Sequence, residues 1–237
     1  MEYIPIHVTE KPCTKVQYSH LNESLTRIIG CLDKKKSLKY LDLQSSYWSL
    51  GALSQGLGRL TLTNQLQTLK LQGSVEPIVP ETKPWKCVEG LSNFLKSQKH
   101  SLKILGLYLP LVFEDTIVTE ITKAISQLGQ LQELSFRFNT SLEELNEYFQ
   151  GHLQNNNSKE ATSKLEESKI WNPNLAQYLK KLEKLEKLNL SFEIFNADST
   201  KWFVDLMKEL PDFERLRNVY TWTSSSSFFV SEGKRLI

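Results

Sequence analysis

The chain contains one spacing that is typical of phosphate-binding chemistry. Gly51 and Gly56 have the outer spacing of a phosphate-binding loop. Such a loop needs Lys and then Ser or Thr next, to reach the phosphates and magnesium, but Leu57 and Gly58 follow here. We therefore predict no nucleotide site, and instead a helix whose small residues allow close packing against a neighbour.

Metal and acid–base chemistry is no better supported by the spacing of ligating residues. Cys13, His20 and Cys31 could supply zinc ligands, but no Cys-x-x-Cys pair makes their spacing specific. The histidines stand far apart: His7, His20, His100 and His152. The pairs Glu143–Glu144 and Glu166–Glu167 are adjacent, and adjacent helical residues face different directions. We predict a protein that is not an enzyme, with no catalytic residue, no cofactor and no metal.

The composition is that of a globular chain with a near-neutral charge. Of the 237 residues 40% are hydrophobic and 24% charged, and the formal net charge is +2, which does not favour a dedicated nucleic-acid binder. Three widely spaced cysteines indicate free thiols in a reducing compartment. We find no signal peptide, transit peptide or apolar run long enough for a membrane span. We therefore expect an intracellular, cytoplasmic protein.

A short pattern, Leu-x-x-Leu-x-Leu, recurs along the chain. Its copies begin at Leu38, Leu66, Leu102, Leu131 and Leu185, and a degenerate sixth copy begins at Phe213 with Leu216. The first positions are 28, 36, 29, 54 and 28 residues apart. The two long steps contain insertions near residues 76–84 and 154–172, and a further repeat could lie hidden in 137–184.

Between the leucine strings the apolar period changes from two to about 3.6 residues, which predicts helices. The predicted buried faces are Leu21, Leu25, Ile28, Ile29 and Leu32; Leu50, Leu53, Leu57 and Leu60; Trp85, Val88, Leu91 and Leu95; Ile117, Ile121, Ile125 and Leu128; and Trp202, Phe203, Leu206 and Leu210. Because strand and helix alternate, each connection returns to a parallel neighbour. The predicted fold class is α/β with a parallel sheet.

The pattern resembles the leucine-rich repeat family, in its long-repeat class like ribonuclease inhibitor, over about residues 20 to 220. The resemblance implies one solenoid domain over 1–237, a horseshoe arc with its sheet concave and its helices convex. Residues 1–37 would be an N-terminal cap region, 38–219 about six repeats, and 220–237 a C-terminal segment. The family usually has Asn or Cys eight residues after the first leucine, where this chain has Ser46, Ser74, Pro110, Asn139 and Glu193. The repeats are therefore divergent.

Residues between the leucines are predicted to project from the concave face in three columns. The columns are Tyr40, Thr68, Ile104, Glu133, Lys187 and Arg215; Asp42, Lys70, Gly106, Ser135, Asn189 and Arg217; and Gln44, Gln72, Tyr108, Arg137, Ser191 and Val219. Such a rigid polar face with Tyr and Arg anchors suits binding of an extended protein surface. Five basic against two acidic residues, weighted toward the C-terminal half, favour an acidic partner patch.

The segment Phe228-Phe229-Val230 is either a folded-back cap or an element that docks to another chain, while Lys34–Lys36 is interpreted as a solvated turn. We predict a non-catalytic protein–protein interaction module, a scaffold or structural subunit of a larger complex. The alternative is a transient regulatory adaptor, similar to the ubiquitin-ligase receptors or GTPase regulators of this family. We expect protein partners, no small-molecule substrate, and nucleic acid only within a larger complex.

Overall fold

The computed structural model describes residues 2–7, 15–74, 86–108, 115–138, 175–192, 208, 218–222 and 227–231. The strands in these ranges are β1 Glu2–His7, β2 Leu38–Ser49, β3 Thr68–Ser74, β4 Ile104–Tyr108, β5 Glu133–Phe138, β6 Lys187–Phe192, β7 Asn218–Trp222 and β8 Ser227–Ser231. The helices are α1 Lys15–Leu32, α2 Leu50–Gly58, α3 Lys86–Ser97, α4 Asp115–Ile125 and α5 Leu175–Lys180.

The strands form one open sheet in which spatial order equals sequence order, from β1 to β8. Strands β1 to β7 pair in parallel, and β8 runs antiparallel to β7. Each described helix packs against the next one along the chain, from α1 through to α5, and α1 and α2 also contact β2. The chain is therefore α/β, with a helical layer beside a mostly parallel sheet.

The leucine strings form the buried rows of this sheet. Two rows pair in register from β2 to β6: Leu41, Leu69, Leu105, Leu134 and Leu188, then Leu43, Leu71, Leu107, Phe136 and Leu190. No side chain in either row is more than 1% exposed. A third buried row lies at the start of β2 and just before β3 to β6: Leu38, Leu66, Leu102, Leu131 and Leu185. The predicted core positions of these five strings are confirmed.

The predicted helix faces are buried within α2, α3 and α4, where Leu53, Leu91 and Ile121 are fully enclosed. Leu60, after the end of α2, is half-buried, and Trp85 lies outside the described residues. Ile28 of α1 is an exception, because 37% of it is exposed. Among the described helices, α1 packs against α2 alone, so its buried stripe is narrower at Ile28 than we predicted. The predicted face from Trp202 to Leu210 lies outside the described residues apart from position 208.

The sheet begins one strand earlier than the first leucine string. In β1, Ile4 and Ile6 pair in register with Leu41 and Leu43, and Ile6 packs against the core. Helix α1 follows, so a further strand-and-helix unit precedes β2 within the region that we predicted as an N-terminal cap.

The last parallel strand lies three residues later than the sixth leucine string predicted. Val219 pairs with Leu188, and not with Ser191 as we predicted. The sequence Asn218–Trp222 alternates β-branched and aromatic residues, which fit a pleated, half-buried surface better than the string that begins at Phe213. Arg215 and Arg217 therefore precede the strand and do not occupy its column positions; both lie outside the described residues.

The glycine-rich segment at Gly51–Gly58 is helical, as we predicted, and no phosphate-binding loop forms there. Its first turn is capped by Ser49, whose Oγ accepts a hydrogen bond from the Ala52 N–H at 3.0 Å. A Cβ on Gly90 of α3 would stand 2.1 Å from the backbone oxygen of Ser54. Small residues thus bring α2 and α3 into backbone contact, which fixes the spacing of the strands that they follow.

Candidate functional site

The candidate site is the side of the sheet that faces away from the helices, which we call the open face. Because side chains alternate along a strand, residues between the buried leucines project there. On β2 to β6 its three columns are Tyr40, Thr68, Ile104, Glu133 and Lys187; Asp42, Lys70, Gly106, Ser135 and Asn189; and Gln44, Gln72, Tyr108, Arg137 and Ser191. Every neighbouring pair in these columns is in register, as we predicted.

Strand β7 continues the columns with residues other than the predicted ones. Asn218, Tyr220 and Trp222 pair with Lys187, Asn189 and Ser191. The predicted basic weighting of the C-terminal half depended mainly on Arg215 and Arg217, which do not take these column positions. The remaining charged side chains are Lys70, Arg137 and Lys187 against Asp42 and Glu133.

The predicted docking residues Phe228 and Phe229 lie in β8. They pair with Thr221 and Tyr220 in an antiparallel ladder. The segment therefore folds back onto its own sheet, which is the arrangement expected of a cap. A docking role for Phe228 and Phe229 remains a prediction.

Two of the charged groups of the open face neutralise each other in the first column. Lys187 Nζ lies 2.5 Å from Glu133 Oε1, although the side chains are 54% and 36% exposed. The hydrogen bond to Glu133 raises the pKa of Lys187 above its ordinary value, and coulombic attraction to the same carboxylate adds to the effect. This pair presents little net charge to a partner.

The centre of the open face is formed by Lys70, Gly106 and Tyr108. A Cβ on Gly106 would stand 3.3 Å from both Lys70 Cγ and Tyr108 Cε2, so the lysine stem and the tyrosine ring close over this glycine. Gly106 is consequently buried, Tyr108 is half-buried and Lys70 is exposed. The result is an aromatic and aliphatic surface that carries one cation.

The rest of the open face is polar and partly fixed by hydrogen bonds. Asp42 is only 6% exposed, and its Oδ1 accepts a hydrogen bond of 2.7 Å from Gln44 Nε2. In the third column Arg137 is exposed and stands next to Tyr108 across the β4–β5 ladder. Tyr and Arg are the side chains enriched at the energetic centres of protein interfaces. The face offers amide, aromatic and charged groups at a strand spacing of ~4.8 Å.

The described residues do not bring together the metal ligands that we considered. His20 and Cys31 both lie on α1, and their separation of 11 residues places them about 16 Å apart, too far to bind one metal ion. No group of three His, Cys, Asp or Glu side chains is arranged for a metal within the described ranges. Cys13 lies outside these ranges. A gap between α4, α5 and β5, lined by Thr122, Phe136 and Tyr178 among others, is too narrow to hold a water molecule.

Sequence reasoning missed Gln98, whose side chain bonds to the turn that precedes β3. Its side chain is fully buried at the end of α3, and its Oε1 accepts hydrogen bonds of 3.0 Å from the N–H groups of Gln65 and Leu66. Its Nε2 donates to the carbonyl of Leu62. A glutamine just after a helix and ahead of a leucine string carries no periodic signal, so only the three-dimensional arrangement reveals this role.

No protein-family model matches the sequence, and no curated protein matches it. None of the described helices is both long enough and apolar enough to cross a lipid bilayer. The functional assignment therefore rests on the fold and on the chemistry of the open face.

Proposed function

We propose that the chain is a leucine-rich repeat solenoid that binds a protein partner through its open face, as a scaffold or structural subunit of a larger complex. The observation that carries this proposal is the alignment, in register, of fifteen open-face residues on β2 to β6 opposite two buried leucine rows. Such a surface is rigid before a partner arrives, which lowers the ordering cost of binding.

The solenoid assignment is supported by contacts between neighbouring units. Strand order follows sequence order, and the helix–helix contacts join consecutive helices, from α1–α2 to α4–α5. Repeat proteins are built in this way, because one repeat cannot bury its apolar face without its neighbours. Pro110 and Glu193 stand at positions where the family has Asn or Cys. In this chain the Gln98 side chain forms hydrogen bonds with the backbone of a different turn.

The binding assignment is supported by the side chains of the open face. Tyr40, Ile104 and Tyr108 are half-buried and supply apolar contact area, while Lys70 and Arg137 are exposed beside them. The fifteen residues include no histidine or cysteine, the side chains most used for proton transfer and nucleophilic attack near neutral pH. The proposed role is therefore recognition without catalysis.

Tyr108→Ala tests this proposal. The partner is first isolated with the full chain from its source cells and identified by cross-linking mass spectrometry, and its dissociation constant is then measured by titration. Because Tyr108 lies at the centre of the face, we expect affinity to fall roughly tenfold or more.

The matched control is Asn93→Ala, at an exposed position of α3 on the helical side of the molecule. Its affinity should stay within about twofold of the wild-type value, since surface contacts away from the interface contribute little. Equal losses for both variants, or unchanged affinity for Tyr108→Ala, Lys70→Ala and Arg137→Ala, would contradict the proposal. A complex that dissociates during gel filtration would instead indicate a transient adaptor.

A further inference from the structure

Three successive turns that lead from a helix into a strand carry a concentration of positive charge. They are residues 33–37 before β2, 59–67 before β3 and 98–103 before β4. Together with Lys39 at the start of β2 they contain seven basic side chains, which we name the lysine edge: Lys34, Lys35, Lys36, Lys39, Arg59, Lys99 and Lys103. All are exposed except Lys39, which is half-buried.

Hydrogen bonds hold these turns side by side. The Gln67 N–H donates to the Lys39 carbonyl at 2.8 Å, and the Lys103 N–H donates to the Gln67 carbonyl at 2.9 Å. Gln65 Nε2 donates to the Lys35 carbonyl at 2.7 Å. Since neighbouring strands lie ~4.8 Å apart, the lysine edge extends about 10 Å across the sheet. The backbone positions that carry these charges are therefore held close together.

Little negative charge within these turns offsets them. Asp33 is the one carboxylate in the three turns, and its Oδ1 already accepts hydrogen bonds from the Thr61 N–H at 2.6 Å and the Thr61 hydroxyl at 2.8 Å. Within the described residues, Lys36, Lys99 and Lys103 form no ion pair. Charges closer than the screening length of about 8 Å at physiological salt repel one another. An anionic partner would relieve that repulsion.

The chemistry of the edge distinguishes among anionic partners. Six of the seven cations are Lys, a hydrated point charge, whereas planar Arg is favoured for recognition of phosphate and nucleic acid. The three turns contain no Phe, Tyr or Trp on which a base could stack. They also lack an exposed large apolar side chain, which insertion into a membrane surface would need.

We propose that the lysine edge is a second binding surface, separate from the open face, and that it takes a short segment rich in Asp and Glu from a protein partner. Flexible lysine ammonium groups adapt to carboxylates at irregular spacing along such a segment. The rigid turns keep these groups within reach of a single extended chain.

The test is fluorescence anisotropy of a labelled oligoglutamate peptide titrated with the full chain at low ionic strength. The edge variant is Lys36→Gln/Lys99→Gln/Lys103→Gln. Its control, Arg27→Gln/Lys123→Gln/Lys208→Gln, removes the same number of charges from exposed positions on α1, on α4 and at residue 208, outside both proposed binding surfaces. We expect the edge variant to bind roughly tenfold more weakly and the control less than about twofold, because each exposed ion pair contributes modestly.

Equal losses in both triple variants would show an effect of net charge alone and overturn the proposal. The proposal would also be overturned if an RNA oligonucleotide or anionic lipid vesicles bound more tightly than oligoglutamate and lost this binding in the edge variant. The surface would then bind another class of partner. Tyr108→Ala should bind oligoglutamate like the wild type, so failure here is separable from failure of the open-face proposal. Thermal unfolding of both triple variants confirms that they fold.

Discussion

At the scale of single residues, a few polar side chains hold adjacent turns together. Gln98, Asn64 and Asp33 each bond to a neighbouring turn: Gln98 to the N–H groups of Gln65 and Leu66, Asn64 to the His100 N–H, and Asp33 to Thr61. Asn64 has a φ of 49°, a left-handed conformation that Asn adopts more easily than most residues. These bonds satisfy backbone groups between strands, so the turns keep a fixed geometry.

Gln98→Ala should lower the free energy of unfolding by about 2–3 kcal/mol, because it leaves the buried N–H of Leu66, the Gln65 N–H and the Leu62 carbonyl without this partner. Chemical denaturation measures the change. Gln55→Ala, at an exposed site on α2, is the control and should change stability by less than about 0.5 kcal/mol. A loss for Gln98→Ala no larger than that of the control would contradict the assigned role.

At the scale of elements, the spacing of the helices depends on small residues in α2 and α3. Gly58 and Gly90 approach so closely that a Cβ on Gly58 would stand 2.7 Å from the Gly90 Cα. The Ser54 hydroxyl also accepts a hydrogen bond of 3.0 Å from the Leu91 N–H. Backbone atoms cannot move aside as a flexible side chain can, so this contact tolerates no added methyl group.

Gly90→Ala should therefore destabilise the protein by about 1–3 kcal/mol, the usual cost of overpacking. Gly30→Ala on α1 is the matched substitution in a helix, where an added Cβ would meet nothing within 4 Å. It should stabilise by about 0.5–1 kcal/mol through the better helix propensity of Ala. Thermal and denaturant unfolding of both variants give the comparison, and similar effects of the two changes would refute the close α2–α3 contact.

The sequence predicts a strand well where its leucine pattern is regular, and poorly where that pattern is degenerate or absent. Strands β2 to β6 follow strings in which Leu38 or its equivalents recur at fixed positions, so their register was predictable. We predicted strand β7 three residues too early, because Phe213 and Leu216 match a degenerate leucine string. In the structure Val219 and Thr221 pair with the buried leucines of β6. Strand β1 has isoleucines and a proline in place of the string, so local pattern alone did not reveal its pairing.

The open face was predictable from the same alternation, since its columns follow from the leucine register. The contact among Lys70, Gly106 and Tyr108 was not, because it depends on side-chain directions across two ladders. The hydrogen bonds of Gln98 join residues more than 30 positions apart, and no periodic pattern in the sequence predicts such a contact. The residues of the open face were therefore predictable from the sequence, whereas the contact at its centre depends on three-dimensional packing.

At the scale of the whole molecule, the near-neutral net charge hides an uneven distribution. The lysine edge and Asp33 together carry +6, so the rest of the chain carries −4 against a total of +2. The open face has nearly balanced charges and aromatic anchors, whereas the edge is strongly cationic. One molecule therefore presents two surfaces of different chemistry, which suits a scaffold that contacts a partner at more than one place.

The central claim, that the open face binds the partner, is tested most directly by a photo-crosslinking amino acid placed at Gln72 in source cells. Gln72 is half-buried on the open face, and Asn93 on α3 provides the matched position on the helical side. We predict that illumination joins the Gln72 position to one partner protein, identified by mass spectrometry, and that the Asn93 position gives no such adduct. Adducts from Asn93 with none from Gln72 would contradict the account.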